Sequence, residues 1–184
     1  MSHEEPSQLC LKGSLLLAEP SLREPTFHRT VILLTEHRHD LGAYGYVLNQ
    51  PTGQTAGELL TSSDFAALAT IPVFLGGPVE TGQLTFASLN WEASAGLSYQ
   101  THLTREDAMR RIKEGEHVRA LVGYSGWGAG QLENEIKQRS WIVAKPDASV
   151  ADPANSSSLW TAILNRMGPW FRLVSRAPDD PSLN

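Results

Sequence analysis

The chain has one cysteine, Cys10, in 184 residues. A single thiol forms no internal disulfide and offers no cysteine pair to a metal. Long apolar runs are missing too. The richest, SLLLA and TVILLT, fall far short of the roughly 20 residues that a membrane helix needs. The opening MSHEEPSQLC is acidic and has no apolar segment, so it does not read as a secretory signal. Positive charge is scarce: 15 Lys and Arg stand against 20 Asp and Glu, for a net −5. That balance disfavours a broad pull on nucleic acid or on an anionic membrane. These shortages predict a cytoplasmic protein that needs no cofactor, disulfide or metal to hold it. A chain of this length buries roughly 70% of its extended surface, which is enough for a core.

What is present is 41% apolar and 19% charged, an ordinary globular mixture. Short strands are predicted at 14–18, 30–35, 44–49, 71–75, near 84–89, at 117–123 and at 141–144. The segment EHRHDLGAYG reads as the turn between the second and third of these. Helices are predicted near 57–60, from Thr104 to a stop at Gly115, over 131–139, and over 158–167. Leu159, Ile163, Leu164 and Met167 form the apolar stripe of the last helix, with Gly168 and Pro169 at its end. No internal repeat or low-complexity linker interrupts the chain, so a single domain over 1–184 is expected. The hairpins imply antiparallel pairing, and the strand–helix–strand unit over 117–144 is long enough for a right-handed parallel crossover. Together they imply an α+β fold.

The stretch GYSGWGAGQ (123–131) has four glycines within eight residues, between a strand and a helix. It fails as a Walker loop, because Gln131 and Leu132 follow the last glycine and no Lys or Arg lies between Tyr124 and Ile136. It fails as a dinucleotide turn, because Gln131 stands where a third glycine belongs, and Glu133 and Glu135 would repel a phosphate there. As a nucleophile elbow it has Trp127 in place of the final glycine, and all six histidines precede Ser125. The plain reading is a sharp architectural corner. Against it stand Tyr124, Trp127 and Gln131, two rings and an amide of the kind that wall a binding site.

His37 and His39 would share one strand face as a metal pair, but no second ligand cluster accompanies them and no metal is expected. Arg105, Arg110, Arg111, Lys113 and Arg119 make the richest basic patch. Acidic residues interleave with it, which implies a solvated, salt-bridged face rather than a DNA reader. A helix-turn-helix would need a second helix directly after this one, where a strand is predicted.

Four blocks in register then resemble one family: LLLAEPSLREPTFHRTVILLTEH, GAYGYVLNQP, VFLGGPVETGQLTFASL and VRALVGYSGWGAGQLENEIKQRSWIV. With the closing LWTAILNRMG they are similar, over residues 11–168, to the bacterial AlgH (YqgE-like) family. That family is labelled as transcriptional regulators and carries no agreed activity. The resemblance implies a mixed, bifurcated sheet that forms a partly closed pseudo-barrel with helices packed outside. Outside that region, flexible ends are expected at 1–10 and 176–184. The family's motif positions are Pro20, Phe27, Arg29, His37, Asn49, Pro51, Gly76, Gly77 and Pro78, then Gly123, Tyr124, Gly126, Trp127, Gly128, Gly130, Gln131 and Glu133. Tyr46 departs from a usual aliphatic, Gln50 from a common basic residue, Ser125 from alanine and Ala129 from proline.

The reading that follows is a binding or regulatory module for a small molecule or a protein, present as a monomer or weak oligomer. Its candidate site joins Asn49, Pro51, Gly76, Gly77, Tyr124, Ser125, Gly126, Trp127, Gly128 and Gln131, with Tyr124 and Trp127 stacking on the ligand. The alternative is an enzyme that uses His28, His37 or Ser125. An imidazole within reach of Ser125, or of a carboxylate facing a pocket, would favour that alternative.

Overall fold

In the first strand, β1 (Leu15–Ala18), successive leucines fall into different cores. Leu15 and Leu17 pack with Val31, Leu33, Tyr46 and Leu48, whereas Leu16 and Ala18 pack with Ile32, Leu34, Val47 and Trp127. The two-residue period of a strand sends alternate side chains to opposite faces, so both faces of this sheet are buried. The chain is described here from a computed structural model over residues 10–22, 24–60 and 63–176. Apart from Cys10 and Arg176, the ends expected to be flexible lie outside the described residues.

Nine strands form one curled, open sheet, a half-barrel. In chain order they are β1, β2 (Val31–Arg38), β3 (Gly42–Val47), β4 (Pro51–Thr55), β5 (Pro72–Leu75), β6 (Val79–Glu92), β7 (Gly96–Leu103), β8 (Val118–Trp127) and β9 (Trp141–Ala144). The main path runs β4-β5-β8-β3-β2-β1-β9, and β6–β7 branches from β8. The expected mixed α+β architecture with a bifurcated sheet is therefore what the chain forms.

The fork lies within β8. Residues 118–122 pair with β6 on one side, antiparallel, and residues 120–122 pair with β5 on the other, parallel. Residues 125–127 pair instead with 43–45 of β3. The change of partner is stitched by backbone: Gly76 N–H donates to the Val122 carbonyl and Val47 N–H donates to the Gly76 carbonyl, each at 2.8 Å. No side chain fits there. A Cβ on Gly77 would sit 2.2 Å from the Tyr124 carbonyl, and one on Gly123 would sit 2.3 Å from the Gly77 oxygen. This is why the GGP turn and the GYSG corner both carry glycine.

The helices cover the two faces. The helix α4 (Leu159–Met167) lays Leu159, Ile163 and Leu164 on the first core, with Met167 at its margin, as its stripe predicts. The helix α3 (Gln131–Lys137) puts Leu132 and Ile136 on the second. A third core, around Val73, Phe86 and Ala120, takes Ala108 from α2 (Arg105–Lys113) and Ala56 from α1 (Ala56–Leu59). Thr104 caps α2: its Oγ1 accepts the Asp107 N–H at 3.0 Å. Thr104→Ala is expected to cost about 1 kcal/mol, read as a lowered urea midpoint with an unchanged slope. No described helix is long and apolar enough to cross a membrane.

Several expectations are corrected. The unit β8–α3–β9 does join strands of the same direction, but β3, β2 and β1 lie between them; the parallel pair in the sheet is β5–β8. The second strand runs through EHR to Arg38, so His37 sits within a strand, only 8% exposed, and not in the turn expected over EHRHDLGAYG. Gly168 ends α4, yet Pro169 opens a further helix, α5 (Pro169–Val174). Arg119 is no part of a surface patch. It is fully buried, with its guanidinium donating to the Leu48 and Val150 carbonyls at 2.6 and 2.7 Å.

Candidate functional site at the fork of the sheet

Since β8 alternates faces, Tyr124 and Trp127 emerge on opposite sides of the fork, and no single hollow holds both rings. Tyr124 packs on the first core and Trp127 belongs to the second. The predicted site thus divides into a cleft, a groove and a backbone knot.

The cleft is built on Trp127. It has a volume of about 280 Å³ and is lined by Trp127, Gly126, Gln131 and Pro78 of the predicted segments. Leu22, Glu24, Phe27, Glu135, Ser140 and Trp141 complete the wall. Phe27 meets Trp141 edge-on at 5.4 Å between ring centroids, and Trp141 meets Trp127 edge-on at 6.0 Å. Edge-on contact places the positive rim of one ring on the negative face of the next. Both indole N–H groups donate to one oxygen, Glu135 Oε2, at 2.8 Å from Trp127 and 2.7 Å from Trp141. Gln131 Nε2 donates to Glu135 Oε1 at 2.9 Å, while its own Oε1 accepts the Gly128 N–H at 3.1 Å. The Gln131–Glu135 pair is one helical turn apart, the spacing at which side chains on a helix meet. Three uncharged donors hold this carboxylate in place, and no described cation forms an ion pair with it.

The groove lies on the other face and collects all four tyrosines of the chain. Tyr44 stacks on Tyr124 with centroids 4.4 Å apart. The hydroxyls of Tyr44 and Tyr46 are 2.9 Å apart, and Tyr46 Oη lies 3.3 Å from His102 Nε2. Burial pushes the Tyr46 and Tyr44 phenols above their ordinary value, so both stay protonated at neutral pH. Glu80 and His102 line this groove with φ of 54° and 55°, a conformation that non-glycine residues rarely keep without compensation.

Of the remaining predicted residues, Asn49, Gly76, Gly77 and Ser125 belong to the knot and Pro51 lies outside it. Asn49 turns away from the cleft: its Oδ1 accepts the Val31 N–H at 2.8 Å and its Nδ2 donates to the Arg29 carbonyl at 2.9 Å. Pro51 is exposed on β4 opposite Phe74. Gly76 and Gly77 form the stitch itself. Ser125 is buried, and its Oγ donates to the Gly76 carbonyl at 3.3 Å. Among the described residues no imidazole is hydrogen-bonded to it.

His37 does meet a carboxylate that faces a hollow. Its Nε2 lies 3.0 Å from Glu133 Oε1, beside a largely apolar hollow of about 460 Å³. However, the Leu11 N–H donates to His37 Nδ1 at 3.1 Å. That fixes the proton on Nε2 and leaves neither ring nitrogen with a free lone pair for a substrate proton. The pair ties α3 to β2. His28 Nδ1 lies 3.3 Å from the Leu22 carbonyl. No group of three or more metal-type side chains occurs among the described residues.

Sequence reasoning named Trp127, Gln131, Gly126 and Tyr124 but missed Glu135 and Trp141, and it noted Phe27 only as a motif position. In the sequence Glu135 reads only as a charge that would repel a phosphate. The usable signal was the Gln131–Glu135 spacing beside two tryptophans. Glu135→Ala leaves two buried indole N–H groups without acceptors, each worth about 1–3 kcal/mol. We expect a loss of roughly 2–4 kcal/mol by urea titration.

A family model described as AlgH-like matches residues 15–172. A UPF0301 protein of Cytophaga hutchinsonii is 36% identical over 185 residues, covering 94% of this chain and 98% of its own. One from Streptomyces coelicolor is 35% identical, covering 95% of each chain. Among solved structures, the AlgH protein of Pseudomonas aeruginosa aligns over 97% of this chain and 98% of its own, with a TM-score of 0.67 and 29% identity. The Corynebacterium diphtheriae protein DIP2367 aligns over 96% and 95%, with a TM-score of 0.71 at 22% identity, which speaks to the fold alone. Matched by this family model over residues 15–172, and by relatives above 30% identity over nearly its whole length, the chain belongs to the AlgH-like family.

Proposed function

We propose that this protein is a cytoplasmic binding module that acts on gene expression indirectly, by taking a small molecule or a segment of a partner protein into the Trp127 cleft. The observation that carries this reading is the fixed Glu135 carboxylate. Three N–H donors hold it in a preformed hollow walled by three aromatic rings, a costly arrangement to maintain without a ligand. A net charge of −5 supports an indirect route over direct DNA reading. So does the pairing of Arg110 with Asp107 and Glu114, and of Arg111 with Glu116. The locked state of His37 and the buried bond of Ser125 support binding over catalysis.

The five tryptophans give five indole N–H signals in a nitrogen–proton NMR spectrum, and Trp127→Phe and Trp141→Phe assign two of them. A screen of metabolite and peptide mixtures is expected to yield a ligand that moves these two signals and leaves those of Trp91, Trp160 and Trp170 in place. A complete screen whose binders all leave both signals unmoved would overturn the reading.

A further inference from the structure

The geometry points to a guanidinium group on an apolar stem as what the Trp127 cleft receives; this rests on the binding reading above and names its chemistry. The lining carries two carboxylates, Glu24 and Glu135, and no lysine, arginine or histidine among the described residues. Every other sizeable hollow described for this chain includes a basic side chain: His37, His39 and Lys137 in one, Lys12 and His102 in the tyrosine groove, and Arg111 in a smaller one. Among the described residues the lining of the Trp127 cleft therefore stands apart by the sign of its charge, which disfavours anions and phosphate esters.

The walls add a second reason that does not depend on charge. The N–H edges of Trp127 and Trp141 are engaged by Glu135, so the surface these rings offer the cleft is carbon, alongside Phe27 and Leu22. Aromatic faces attract a cation and also cover an aliphatic stem. A guanidinium suits this better than an ammonium. It is flat, weakly hydrated and able to stack, and its fork of donors matches a carboxylate. Glu135 keeps room for it. Oε1 accepts a single bond, from Gln131, and Glu24, which also lines the cleft, adds a second carboxylate. Because Glu135 is positioned before any ligand arrives, little ordering is required on binding.

The same group reaches the cleft either as an arginine side chain of a partner protein or as a small guanidino compound. Two probes separate these sources: agmatine, and the peptide acetyl-Gly-Gly-Arg-Gly-Gly-amide. The same peptide with citrulline in place of arginine keeps the shape and removes the charge. In NMR titrations of the full chain, both guanidinium probes are expected to move the Trp127 and Trp141 indole signals, and the citrulline peptide is expected to bind at least tenfold more weakly. Glu24→Gln, which leaves the Glu135 bonds untouched, is expected to weaken both guanidinium probes about five- to tenfold, and raising the salt weakens them further. Tighter binding of the peptide identifies a protein partner as the source, and tighter binding of agmatine identifies a small molecule; either supports the assignment. Equal binding of the citrulline peptide overturns it, and so does a screen ligand of another class that moves these indoles while both guanidinium probes leave them in place. In that last case the binding reading survives without its cation, whereas silence of the cleft toward every ligand removes both.

Discussion

Gly77→Ala is expected to yield no folded protein, whereas Gly82→Ala, five residues on, is expected to be indistinguishable from wild type. Gly77 has φ of +153° and lies against the Tyr124–Ser125 peptide, with an added methyl only 2.2 Å from backbone atoms on β8. Backbone in a sheet cannot rotate away as a side chain can, so either β5 or the far half of β8 must move. Moving either one opens the fork. The cost exceeds about 5 kcal/mol, the size of an entire domain's stability at its lower bound. At Gly82 nothing lies within 4 Å of an added methyl, and the change is expected within about 0.5 kcal/mol. Soluble yield and a thermal melt of the two variants side by side decide the matter. A folded Gly77→Ala protein with a normal melt would contradict the close packing at the fork.

Arg119→Ala is the second large effect. The side chain sits across Phe74, 5.3 Å from the ring centroid, and satisfies the Leu48 and Val150 carbonyls from inside the core. Its Nε finds no partner among the described residues. Truncation strands two buried carbonyls and opens a cavity, for about 3–5 kcal/mol. In a chain of this size that corresponds to a melting point lower by about 10–15 °C. Arg119→Met keeps the volume, removes a buried charge and is expected to recover at least half of the loss. Burial pulls the guanidinium down to about 10. The unfolded chain therefore binds the extra proton only above that value, and this group makes stability rise with pH there. Below it both states are protonated, so the gap between wild type and Arg119→Met is expected to be flat from about pH 6 to 9. A gap that changes across this range would mean that another titrating group is coupled to Arg119.

How much of this was legible beforehand varies with how local the determining physics is. The strands β1, β2, β5 and β9 could be read because apolar runs bounded by turn residues specify them, and α4 because its stripe repeats at the helical period. By contrast, β4 has the sequence PTGQT, which reads as a turn; it is a strand only because the backbone of β5 is there to pair with it. The strand β7, GLSYQTHL, is an edge strand paired on one side, so half its residues face out and its pattern is faint. Pro169 marked a helix end in sequence, but proline equally suits a helix start, and α5 begins on it. At the candidate site, Trp127 and Gln131 were legible as polar and aromatic residues on a glycine corner. The assignment of Tyr124 and Trp127 to one ligand required knowing that β8 continues as regular strand through the corner, which alternates them across the sheet. The glycines suggest one continuous corner, but the structure keeps Gly123 and Gly126 within β8 and turns only at Gly128 and Gly130. The tyrosine cluster draws on β3, β7 and β8, and no spacing within one segment announces it.

The strand on which both halves of the sheet depend comes late in the chain. When the ribosome has delivered residues as far as β7, β5 has no neighbour except β4 and β3 has none except β2. The nascent protein then holds three separate strand groups, β1–β3, β4–β5 and β6–β7, with bare edges, kinds of surface that invite pairing with other chains. Only translation through Trp127 joins them, and β9 must follow before β1 is covered. The sheet thus stays incomplete until β8 is made, and a chain that stops upstream of it leaves β3 and β5 without the strand that joins them.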